Sequence, residues 1–73
     1  LWEVEDMSKI EDALFEARPY VEYFDELKKT VKKINEIAKS EEEFKRLIEE
    51  EIQKAQEPFK TDLRIFLQKF EAL

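Results

Sequence analysis

Apolar residues recur in steps of three or four along nearly the whole chain, and no glycine interrupts them. One stripe runs Ile10, Leu14, Ala17, Val21, Phe24, Leu27, Val31, Ile34, Ala38. A second runs Phe44, Ile48, Ile52, Ala55, Phe59, Leu63, Phe66, Phe70, Leu73. This spacing places side chains on one face of an α-helix, whereas a strand needs alternation. With Gly absent and only three Val, the turns and β-branched runs of a sheet are missing too. The expected fold class is all-α.

Start signals divide the pattern. Ser8 with Glu11 three residues on has the spacing of a capping box, in which two side chains satisfy free N–H groups at a helix start. Ser40 with Glu43 repeats it, and Glu41 and Glu42 stand where the helix dipole favours acids. Lys39-Ser40 is therefore read as a tight connection, and short connections make antiparallel neighbours. Ile10, Ala17, Phe24, Val31 and Ala38 are spaced by sevens, a repeat that favours a left-handed supercoil. The expectation is a coiled-coil-like antiparallel hairpin over residues 8–73, turning near 39–40, with residues 1–7 as an N-terminal flank.

Pro19 and Pro58 fall inside the two stripes. An interior proline removes a hydrogen bond and costs about 3 kcal/mol. Because the rhythm continues through both, each arm is expected to be kinked or briefly interrupted there. An arm of about 30 residues would span roughly 45 Å. The alternative is a true break into four short helices, with Thr61 capping the last.

Charge tests the hairpin. Residues 27–39 hold five Lys and one Glu, while residues 40–57 hold seven Glu against three Lys or Arg. Side by side, Lys28, Lys29, Lys32 and Lys33 would face Glu49, Glu50 and Glu51, although each exposed pair contributes only roughly 0–1 kcal/mol. Pairs at i,i+4 such as Glu41–Lys45 and Glu42–Arg46 support the helices locally.

The chain's 73 residues, 44% of them charged, set the remaining bounds. So short a domain buries only about 60% of its unfolded surface. Small domains usually add a disulfide, a metal or a partner. With no Cys and no His, no cofactor or metal site is expected, and a partner is the remaining support. The chain begins at Leu1 and its stripe runs to Leu73, as expected of a fragment of a larger protein. A net charge of −6 disfavours nucleic acid and anionic membranes. No apolar run approaches the ~20 residues of a membrane helix. A cytoplasmic location is the default.

Catalysis has little to draw on. Both Ser look like caps, so no nucleophile has an evident base or oxyanion pocket. The expectation is no enzyme. The competing readings are a helical enzyme or ligand-binding bundle using Arg18, Arg46 and Arg64, and a nucleic-acid patch at Lys28–Lys33.

Aromatic residues suggest a contact surface instead. Eight of nine lie in residues 1–24 or 59–70, the open end of the expected hairpin. At about 100° per residue, Phe15, Tyr23 and Ile65 fall roughly 140° from their own stripe centres. Exposed apolar surface usually marks an interaction site, and Tyr and Trp are typical anchors. The predicted partner-binding residues are Trp2, Phe15, Tyr20, Tyr23, Ile65 and Leu67. The expected function is a non-catalytic structural or protein–protein interaction module. Its partner would be the parent polypeptide, a partner helix or a second copy, two hairpins then forming a four-helix bundle.

Overall fold

Helix-forming residues fill the chain before, between and after two prolines, and the described residues fold as four α-helices of fourteen residues each. The computed structural model describes residues 4–73. The helices are α1 (Val4–Ala17), α2 (Phe24–Ile37), α3 (Glu41–Lys54) and α4 (Phe59–Ala72), with a short 3₁₀ turn at Arg18–Tyr20 between the first two. No strand occurs among the described residues.

The connection at 38–40 forms as its residues predict. Ser40 is extended at the N-cap of α3, and its hydroxyl accepts from the Glu43 N–H at 3.1 Å. Glu43 Oε1 reaches back to accept the Lys39 N–H at 2.7 Å. The first helix behaves differently. Ser8 lies inside α1, which includes Val4, and so is not its cap.

Both prolines end helices outright. Pro19 has no N–H to give, and its ring crowds the carbonyl four residues back, so α1 tightens into a 3₁₀ turn and Val21 becomes extended. On the other arm the helix stops at Lys54, Ala55 is extended and Pro58 stands at the N-cap of α4. Thr61 is not that cap. Its N–H and hydroxyl instead donate to Glu57 Oε1 at 3.0 and 2.6 Å.

These breaks shorten the molecule to 31 × 23 × 19 Å, so the two arms of roughly 45 Å are replaced by a folded-back bundle. Lys9, expected near the far end of the first arm, meets Glu41 beside the turn at 3.2 Å. Phe44, beside the turn, packs against Phe70 at 5.2 Å and edge-on to Phe66 at 6.1 Å. Phe66 and Phe70 themselves stack at 5.9 Å. All three rings are fully buried, and ring pairs of this kind add about 0.5–1.5 kcal/mol each beyond their buried area.

The expected stripes are the core. Ile10, Leu14, Leu27, Val31, Ile34, Phe44, Ile48, Ile52, Leu63, Phe66 and Phe70 are all buried in one cluster. Val21, Ala55 and Phe59, at the two proline segments, pack partly buried against it. The rhythm continues through the breaks because residues on both sides of each turn still face that core. Leu73, the last member, is exposed.

Helix α4 sits at the centre, packed against α1, α2 and α3. Three neighbours give it a wide buried face of Asp62, Leu63, Phe66, Leu67 and Phe70. The outer helices α2 and α3 each bury three residues. The charge pairing changes accordingly. Lys32 pairs with Glu11 of α1 at 3.8 Å, and among the described residues no ion pair joins the 28–33 cluster to Glu49, Glu50 or Glu51. Arg46 pairs with Glu43 and Glu50, not with Glu42, while Glu41–Lys45 forms as expected.

Candidate functional site

Among the described residues, the exposed aromatics gather where α1 gives way to α2. Ile10, Leu14 and Ala17 turn one face of α1 to the core, which carries Phe15 round to solvent at 73% exposure. Two residues past the helix end, Pro19 fixes the turn that holds Tyr20 outward, 64% exposed. Tyr23, at the N-cap of α2, is half exposed.

Cations lie on two rings in this region, Tyr20 and the partly buried Phe24. The Arg18 guanidinium sits 5.4 Å from the centre of the Phe24 ring, and the Lys69 ammonium 4.9 Å from that of Tyr20. A cation over an aromatic face at an exposed site contributes about 0.5–1 kcal/mol and restrains both side chains.

Phe15, Glu16, Arg18, Pro19 and Tyr20 line an open depression of about 500 Å³. Arg18 also borders two smaller hollows, one shared with Phe15, Phe24 and Lys28, the other with Tyr23 and Asp25. The surface thus has Phe15, Arg18 and Tyr20 at its centre, edged by Lys28 and Lys69 of one sign and Glu16, Glu22 and Asp25 of the other.

Its floor is fixed from another helix. Tyr23 offers no side-chain hydrogen bond to cap α2. The carboxylate of Asp62 on α4 reaches across instead, accepting the Tyr23 N–H at 2.9 Å and the Glu22 N–H at 3.2 Å. Asp62 is 2% exposed. A charge so buried is tolerated only when paired or hydrogen-bonded, and the two N–H groups have equal need of an acceptor.

The predicted contact residues therefore divide. Phe15, Tyr20 and Tyr23 are exposed on one short segment. Leu67 is a core residue, because α4 has neighbours on more sides than a two-helix hairpin would give it. Ile65 is half-buried. Trp2 lies outside the described residues. Two members of the surface escaped the sequence reading in that role, Arg18 at its centre and Asp62 beneath it. Ile37, 60% exposed one step off its stripe, was also passed over.

Arg18, Arg46 and Arg64 do not converge. Arg46 and Arg64 border one depression between α3 and α4 of about 460 Å³, and Arg18 borders others. Arg46 is already committed to Glu50 at 2.8 Å. Among the described residues no group of three acidic side chains is gathered as a metal site, and no helix is long and apolar enough to cross a membrane. One carboxylate is perturbed. The Thr61 hydroxyl, then the Thr61 N–H with Arg64 and Lys60 nearby, hold Glu57 below the ordinary glutamate value, against a smaller opposing effect of desolvation.

The model of the MJ1579 family matches residues 7–73, and the chain belongs to that family. A comparison with curated proteins gives no match. Neither result attaches an activity to the surface just described.

Proposed function

We propose that this member of the MJ1579 family is a non-catalytic protein-interaction module, docking through the Phe15–Tyr23 segment. The observation that carries the reading is the pair Phe15 and Tyr20, 73% and 64% exposed around one depression, on a surface otherwise rich in charge. Apolar area left in water forgoes about 25 cal/mol per Å² that a partner would recover. Tyr and Arg at the centre of a patch are the residue types that most often dominate binding energy.

The partner this face fits first is a second copy of the chain. A two-fold interface must be complementary to itself, so it needs knob, hollow and both charge signs on one patch. Here Phe15 projects beside the hollow, and Arg18 lies within the same surface as Glu22 and Asp25. The dimer so formed differs from two paired hairpins, since each chain already supplies four helices of its own. The parent polypeptide and a partner helix remain the other occupants of the same face.

Sedimentation velocity decides between them. The unaltered chain is expected to associate, and Phe15→Glu with Tyr23→Glu to remain monomeric with its helical circular dichroism intact. If that double variant unfolds, these residues belong to the core and the surface is misassigned. If the unaltered chain sediments as a monomer at every soluble concentration, the second copy is the wrong occupant.

A further inference from the structure

We infer that Asp62 is a positioning residue for the docking face: it latches the 18–23 segment to α4 and so sets the pose of Tyr20 and Tyr23. The inference deepens the reading above, on which the word "docking" rests, but the latch itself stands on separate observations.

Beyond the Lys69 ammonium on the Tyr20 ring and the Leu27 N–H donating to the Tyr23 carbonyl at 2.9 Å, the segment has little else to hold its shape. The 3₁₀ turn buries none of its residues, and Glu22 and Tyr23 lie outside any helix. Only Val21, partly buried against the core, anchors it by packing. The α2 N-cap receives no bond from its own side chain. Against this, Asp62 stands on the most embedded helix, 2% exposed, and accepts two consecutive backbone N–H groups from 39 and 40 residues away. Hydrogen bonds to an ionised carboxylate are shorter and about twice as strong as neutral ones. The positive end of the α2 dipole points the same way.

The consequence is a division of labour. Leu63, Phe66 and Phe70 on α4 hold the bundle together through apolar contact, while Asp62 on the same helix governs one loop. Loss of the carboxylate should therefore release residues 18–23 and leave the bundle standing, a local opening of the kind amide exchange detects residue by residue.

Amide exchange on the full chain tests this, with Asp62→Asn as the variant. In the unaltered protein the Glu22 and Tyr23 amides are expected to be protected despite lying outside the helices. In Asp62→Asn they should exchange at least about tenfold faster, with the amides of Ile48 and Phe66 nearly unchanged. Self-association should weaken although Phe15, Tyr20 and Tyr23 are all present. Free exchange at Glu22 and Tyr23 in the unaltered chain overturns the latch, even if the variant fails to fold. Acceleration spread evenly over all helices overturns it too, because Asp62 would then be an ordinary core group. A local release with undiminished association removes the positioning role. If the unaltered chain proves monomeric, the second-copy reading fails while the exchange pattern still decides the latch.

Discussion

The two connections that contain proline solve the same problem by opposite means. At 55–58 the stabilising contact is local: Glu57, next to Pro58, accepts from Thr61 four residues on, and the groups involved are exposed. At 18–23 it is distant, a buried carboxylate from α4. A local cap is made by whatever folds nearby and belongs to one helix. A distant cap exists only once the bundle has assembled, so the surface above it is a product of the tertiary fold. Tyr20 and Tyr23 lie on the second kind of connection, and Phe15 on the helix turn just before it.

Three measurements would break or sharpen that contrast. Phe66→Ala should have the largest effect, about 3–5 kcal/mol of stability lost by truncating a buried ring. Both connections then fail together, since total stability for so short a chain is only about 4–11 kcal/mol at 0.05–0.15 kcal/mol per residue. Chemical denaturation would show it; a small loss would mean the aromatic trio is not the centre of the core. Asp62→Ala should cost less, about 1 kcal/mol, because Glu22 and Tyr23 are exposed and water can take up part of the lost bonding. A neutral result would mean water replaces the carboxylate freely, and the contrast between the connections disappears.

Glu57→Gln should have the smallest effect, present at neutral pH and vanishing in acid. Glu57 binds its proton less readily folded than unfolded. Its contribution is therefore complete above the ordinary glutamate value and is lost as pH falls through the lowered folded value. Denaturation midpoints measured across that range should fall more steeply for the unaltered chain than for Glu57→Gln. Parallel slopes would show that the Thr61 contact is not a stabilising cap.

Several features were legible in the sequence for physical reasons. Stripe positions from Ile10 to Phe70 are buried because helical periodicity reports which residues face a core. The Ser40–Glu43 cap is visible because its partners are three residues apart. The exposure of Phe15 follows from its angle to the stripe within α1, whereas Tyr23 is exposed outside any helix. The same periodicity says nothing of where the helix axis points, and so an unbroken rhythm through Pro19 and Pro58 suggested long arms where the chain turns. Leu67 was misplaced because burial of a second face depends on how many helices surround α4. Asp62 offered no signal: an acid in the first turn of a helix looks like one placed for the dipole. Its partners, Glu22 and Tyr23, are some 40 residues away.

The described corners are made without the left-handed backbone that favours glycine. Ala38 leaves α2 at φ −67°, Ala55 leaves α3 at φ −75°, and no described residue has positive φ. A glycine-free chain has fewer conformations to surrender when it orders, and an alanine in place of glycine is typically favoured by about 0.4–1 kcal/mol where the geometry allows. For a protein with so modest an interior, a less disordered starting ensemble partly compensates for the burial it lacks. Its corners gain firmness before any contact forms.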